Sequence, residues 1–300
     1  MKTIRYLNPQ SREVHLGIVQ RDEVYSVTRH VPQWTDPLPM WCALRALGIS
    51  PEAAALRFAQ GESLFYASLE ADGLLLPPVH AEEVWAAGVT YERSRVARNA
   101  ETKILDSVYD RVYEAERPEL FFKATANRVV PPGQGLGLRS DSTWMVPEPE
   151  LSLVLSAAGE IVGWTIGNDL SSRDIEGDNP LYLPQAKVFS RSCSLGPILL
   201  WNSDEVSDLS TWDIELHIER GGTNVYSDVV SFRQFHRSFQ ELIGYLRRDN
   251  PIPDGTVLMT GTGLVPPDDF TLEVGDKIHI RIDAIGTLFN PIVAPVSGHS

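Results

Sequence analysis

A strand-rich α+β fold, a mixed β-roll or barrel with a small N-terminal domain, is what this 300-residue chain predicts. Three observations carry that expectation. Apolar and polar residues alternate with period two in many short segments, as they do in strands with one buried face. The 22 glycines and 21 prolines fall between those segments and cut the chain into short elements. No regular strand–helix–strand alternation runs along it, which argues against a doubly wound parallel sheet.

In chain order, Val14, Leu16 and Ile18 alternate with His15, Gly17 and Val19 and predict a strand. Ser50-Pro51-Glu52 ahead of AAALRFAQ predicts a short helix, with Ser50 as its N-cap, Pro51 at its first position and Gly61 past its end. Leu74-Leu75-Leu76-Pro77-Pro78 then breaks the pattern. It separates a small N-terminal α/β domain, residues 1–75, from a main domain, residues 80–297. Helical pattern follows around 92–116 and again around 235–248. Strands are expected at Leu151–Leu155, Ile161–Ile166, Gly196–Leu200 and Thr256–Met259. The alternating triplets Ile214/Leu216/Ile218 and Ile278/Ile280/Ile282 predict two more.

The hydrophobic share, 43%, is enough for a sizeable core. A net charge of −14 argues against nucleic acid, since no basic stripe is available to displace phosphate counterions. A small anion is still compatible, because a bound cation reverses the local field. Cys42 and Cys193 have neither disulfide nor metal-ligand spacing. The opening MKTIRYLNPQ has no apolar run, and no window approaches the roughly 18 apolar residues of a membrane span. A soluble cytoplasmic protein without a membrane partner is the expectation.

The chemistry concentrates in Pro147-Glu148-Pro149-Glu150-Leu151. In an extended strand Glu148 and Glu150 project to one side, where they repel unless a cation lies between them. A solvated strand face is the other reading of such a pair. The flanking prolines suit a strand start or an edge. Asp169 ends an apolar strand, as a site residue or as the cap of a turn. Lys187 sits between apolar neighbours in QAKVF, so it either snorkels or is buried beside an anion. Three acidic donors with a lysine suit a hard divalent ion such as Mg²⁺.

From Trp85 to Ile292 the chain resembles the fumarylacetoacetate hydrolase superfamily. GVTYERSR, PELFFKA, EPELSLVL, GNDLSSRD, AKVFSRSC, IPDGTVLMTGTG and GDKIHIRIDAIGTLFNP stand in that family's order. VYDRVYEAERPELFFKATANR, RSDSTWMVPEPEL and NPLYLPQAKVF are similar to its sugar-acid dehydratases in particular. The resemblance implies the family's mixed β-roll or barrel, and Glu148, Glu150 and Asp169 as ligands of Mg²⁺, with Mn²⁺ or Ca²⁺ able to substitute in binding. It puts Lys187 on the active-site lysine and Thr262 on the position that holds a 2-oxo acid's carboxylate. Glu119 falls on a glutamate of the dehydratase site, against a salt bridge to Arg117 or Lys123. Tyr91 and Arg93 fall in a loop at the cleft mouth, where they contact substrate or where Arg93 serves the surface. A homodimer or homotetramer is implied as well.

One departure discriminates among activities. Family hydrolases that cleave carbon–carbon bonds carry Asn-Tyr-x-x-His after the first strand, and that histidine helps activate water. The segment here is Thr90-Tyr91-Glu92-Arg93-Ser94, and a serine has no suitable pKa for the task. His217 and His279 sit in alternating strands as surface residues. The expected function is therefore Mg²⁺-dependent dehydration of a 2-keto-3-deoxy-pentonate of the D-arabinonate type to 2,5-dioxopentanoate. Proton transfer falls to Glu119 and Lys187. The alternatives are a hydrolase of acylpyruvate-type diketo acids and a non-catalytic 2-oxo-acid binder.

Overall fold

The computed structural model describes residues 1–101, 108–203 and 208–295. Residues 102–107, within the expected 92–116 helical stretch, and 296–297, at the end of the expected main domain, lie outside the described residues. The fold is strand-rich α+β. Twelve strands form one mixed sheet. Across it run Ser63–Phe65, Glu23–Ser26, Val14–Gln20, Lys2–Leu7, Cys193–Trp201, Ile161–Asp169, Pro149–Leu155, Thr256–Met259, Glu83–Gly88 and Glu119–Thr125. Leu75–Leu76 adds to Lys2–Leu7, and Val129–Val130 to Cys193–Trp201. A second sheet has five strands: Thr223–Ser231, Asp213–Arg220, Lys277–Ile282, Gly286–Val293 and Leu136–Gly137. Both sheets stay open among the described residues rather than closing into a barrel, because their outermost strands do not pair with each other.

Each segment with a period-two pattern forms its strand. The Pro149–Leu155 strand is central and buried along its whole length, so its two faces feed two different cores. Leu151, Leu153 and Leu155 join Ile214, Leu216, Ile278 and Ile280 of the five-stranded sheet and Leu242 and Leu246 of the helix Phe239–Arg247. Val154, on the alternate face, joins Leu38, Met40, Leu44, Ala54 and Phe58 from the helices Pro37–Ala46 and Pro51–Phe58. Strand alternation then places Glu148 and Glu150 on that second face, at the end of the strand. Ser50 caps its helix as expected, its hydroxyl accepting from the Ala53 N–H.

The N-terminal strands continue the main sheet: Lys2 and Thr3 pair with Leu200 and Leu199, and Arg5 and Tyr6 with Leu76 and Leu75. Within the expected helical stretch, Glu92–Glu101 and Val108–Glu114 are helical. Among the described residues no helix is long and apolar enough to cross a membrane.

Candidate active site and metal centre

Register brings the acids together. The strands Pro149–Leu155 and Ile161–Asp169 pair antiparallel, with Pro149 opposite Asn168 and Glu150 opposite Gly167. The Asp169 N–H donates to the Glu148 carbonyl at 3.0 Å. Ligand atoms of Glu148, Glu150 and Asp169 consequently lie within 4.8 Å of one another, and all three residues are buried. Burial, then Asp169 and Glu148, push the Glu150 carboxyl well above the usual carboxylate range, while the Gly261 N–H that donates to it acts in the other direction. Hard oxygen donors packed this closely and this deeply fit a divalent cation.

Three cations surround the cluster. Lys187 Nζ lies 2.6 Å from Glu148 Oε2, 2.6 Å from Ser171 Oγ and 3.3 Å from Asp169 Oδ2. Arg173 reaches Glu148 Oε1 at 3.0 Å. Lys123 pairs with Asp169 and donates to the carbonyls of Leu170 and Lys187. Sequence reasoning weighed Lys123 only as a partner of Glu119. Its aim comes from a bulge: Val84 pairs with Ala124 but Trp85 with Phe122, so Lys123 is the extra residue in its strand. A lysine amid apolar neighbours in FFKA was the available signal. Arg173 and Glu176, inside GNDLSSRDIEG, were also missed.

Removing Lys123 leaves Asp169 short of a counter-charge at a fully buried position. Lys123→Met is expected to cost roughly 3–5 kcal/mol of stability, the range for breaking a buried pair from one side. A fall in urea midpoint at constant slope reads this out. An unchanged midpoint would show that the pair carries no net weight.

A narrow pocket opens onto the acids. Its walls include Gly88, Ser94, Glu119, Phe121, Glu176, Lys187, Gly261 and Thr262 together with Glu148 and Glu150. Glu119 thus shares the pocket with Lys187 and the acids. Gly88 is its cross-strand partner, and a Cβ there would collide with the Glu119 carboxylate. Gly261 has φ of +92°, and a side chain on it would strike Thr90 and the Ala87 carbonyl. Glycine at this point lets the backbone close on Glu150. Thr262 is buried in the same turn, its hydroxyl accepting from the Leu264 N–H at 3.1 Å.

Tyr91 and Arg93 are placed differently from a loop at the cleft mouth. Tyr91 is fully buried, bridges Phe235 and packs on Phe232, and its hydroxyl has no hydrogen-bond partner among the described residues. Tyr91 does lie in the connection between the strand Glu83–Gly88 and the helix Glu92–Glu101, but its ring fills the core between the sheets instead of the cleft mouth. Arg93 lies in the helix that follows and pairs with Asp228, away from the pocket lining. Ser94 is buried in the pocket wall and donates to the Tyr91 carbonyl at 2.7 Å. His217 and His279 face each other across strands of the second sheet, with ring centroids 5.9 Å apart.

Residues 83–293 match the model of the fumarylacetoacetate (FAA) hydrolase C-terminal family. A probable 2-keto-3-deoxyxylonate dehydratase of Haloferax volcanii is 51% identical over 215 residues, covering 72% of this chain and 73% of that protein. A 2-dehydro-3-deoxy-D-arabinonate dehydratase of Saccharolobus solfataricus is 46% identical over 218 residues, 72% of this chain and 73% of that one. A solved structure of 2-keto-3-deoxy-D-arabinonate dehydratase complexed with magnesium and 2,5-dioxopentanoate superposes with a TM-score of 0.83 at 35% identity, covering 98% of this chain and 99% of that one.

Proposed function

Since the chain belongs to the fumarylacetoacetate hydrolase family, we infer that it is a magnesium-dependent hydro-lyase converting a 2-keto-3-deoxy-pentonate to 2,5-dioxopentanoate. Two relatives named as dehydratases, at 51% and 46% identity, support the reaction. The observation that carries it in this chain is a single pocket lined by Glu148, Glu150, Lys187 and Glu119, with Asp169 beside the two acids and serine at position 94. The relatives' two substrate names converge. D-xylonate and D-arabinonate differ only at C2 and C3, and both centres vanish in the 2-keto-3-deoxy acid. The D-series substrate is therefore one compound, and the L-arabinonate derivative is its mirror image at C4.

We assign Glu148, Glu150 and Asp169 to the ion. Mg²⁺ bound there supplies a Lewis acid for the carboxylate and 2-oxo group of the substrate. Thr262 orients the substrate carboxylate through its hydroxyl. Lys187, hydrogen-bonded to Glu148, places a positive charge beside the developing C2 oxyanion. Glu119, with Lys187, moves the protons of the elimination. Tyr91 takes a core role, its ring packed against Phe232 and Phe235. Arg93 takes the surface role beside Asp228. Ser94 spends its hydroxyl on a backbone carbonyl, which disfavours the hydrolase reading.

The test is incubation with Mg²⁺ and a panel of 2-keto-3-deoxy-sugar acids, products being read by mass. A product lighter by one water that carries an aldehyde is expected, and release of pyruvate from acylpyruvates would overturn the reading. Thr262→Ala should weaken pyruvate binding by about 1.5–3 kcal/mol, the range for a lost hydrogen bond to a charged group. Unchanged pyruvate affinity by calorimetry would remove Thr262 from that role. We place the enzyme in the cytoplasm as a homodimer or homotetramer. The free thiols Cys42 and Cys193 and the exposed Leu181 and Tyr182 support this, and sedimentation decides the assembly.

A further inference from the structure

Loss of water does not complete the reaction inferred above. Removing a C3 proton and the C4 hydroxyl leaves 5-hydroxy-2-oxopent-3-enoate, with a C3=C4 double bond. Reaching the aldehyde requires a C5 proton to leave. The C5–H electron pair then forms C4=C5, the C3=C4 pair moves to C2–C3, and C3 takes up a proton as the ketone re-forms. The resulting C4=C5 enol finally loses its hydroxyl proton and gains one at C4. No oxidant enters, and the substrate loses one water in all.

We propose that Glu176 is a second catalytic carboxyl, beside Glu119, the base that removes the C5 proton in this second half of the reaction. The inference rests on the dehydratase reading. Glu176 projects from the short helix Arg173–Asp178, is 3% exposed and lines the pocket. It stands outside the three-carboxylate cluster, and its Oε1 is 4.0 Å from Lys187 Nζ. Two chains of contact run through the pocket wall. In one, Gly261, next to Thr262, donates its N–H to Glu150. Beside it lies the Ala87–Gly88 strand end, which faces Glu119 across the ladder and whose Ala87 carbonyl approaches Gly261. In the other, Glu148 holds Lys187, and Lys187 leads to Glu176. A substrate with its carboxylate at Thr262 sets C3 within the reach of Glu119 and runs its C4–C5 end toward Glu176. Two carboxyls on different walls thus address the two carbons that lose protons.

The experiment compares wild type and Glu176→Gln, both with Mg²⁺, on 2-keto-3-deoxy-D-arabinonate. The conjugated 2-oxo-3-enoate is followed by its ultraviolet band and the aldehyde by hydrazone trapping. Glu176→Gln is expected to release the enoate, isobaric with the normal product, while aldehyde formation falls by roughly 10²–10⁴-fold. Glu176→Asp should restore part of the aldehyde. A role confined to charge balance around Lys187 would slow both phases together and show no enoate, which overturns the proposal. Normal aldehyde formation by Glu176→Gln overturns it too, with the dehydratase reading intact. Failure of the wild type to eliminate water would instead defeat that reading itself.

Discussion

Chelation with EDTA should abolish turnover, Mg²⁺ or Mn²⁺ should restore it, and Glu148→Gln should behave as chelation does. The charge pattern of the site supports this. Glu148, Glu150, Asp169 and Glu176 are buried against Lys123, Lys187 and Arg173, so the carboxylates are in excess. Taking such charges out of water costs several kcal/mol each unless they are compensated. With no ion present, the burden falls on Glu150, whose carboxyl is pushed toward the neutral form by burial and its two acidic neighbours. A divalent ion at the triad removes that burden. Glu148→Gln withdraws a ligand charge and weakens the links to Lys187 and Arg173. Electrostatic stabilisation by such an ion amounts to several kcal/mol, so the loss in rate should be at least about 10³-fold. Full activity in a preparation shown to be metal-free would refute the assignment.

What the sequence made legible follows from which interactions are local. The strands with Ile214, Leu216 and Ile218, or with Ile278, Ile280 and Ile282, announce themselves because one face is buried and the period is two. The same rule put Glu148 and Glu150 on one side of their strand. The residues that escaped depend on pairing between distant segments. Lys123 points at Asp169 only because its strand carries an extra residue against Val84 and Trp85. Tyr91 is a core residue only because Phe232 and Phe235 arrive from the far end of the chain. Neither arrangement leaves a mark within a window of ten residues. The union of the first strand with Leu199 and Leu200 is likewise long-range and has no local signal. Glycines gave partial clues. Gly88 and Gly261 read as punctuation, whereas each is required by the close approach of Glu119 or of a backbone turn to the site.

Glu119→Gln should remove most turnover, by roughly 10²–10⁴-fold, while binding of Mg²⁺ and pyruvate persists. The amide matches the carboxylate in shape and fills the space above Gly88, so the pocket should keep its form. It can neither take nor give the proton. Since Glu119 is not among the three clustered acids, the ion's charge balance is untouched. Pyruvate offers a sharper readout, because its methyl group is the counterpart of the substrate's C3. In deuterium oxide the wild type should exchange that methyl with solvent, and Glu119→Gln should suppress the exchange. With the full substrate, the wild-type product should carry solvent deuterium at C3, since reprotonation there draws on water. Glu119→Gln should also release no enoate, which separates a defect in the first proton transfer from one at C5. Normal turnover in Glu119→Gln would return that carboxyl to a structural role while leaving the reaction class standing. Efficient cleavage of acylpyruvates, with keto-deoxy-pentonates untouched, would bring down the dehydratase reading. Water would then have to be activated by a group other than a histidine at position 94, because the serine there is already held by the Tyr91 carbonyl.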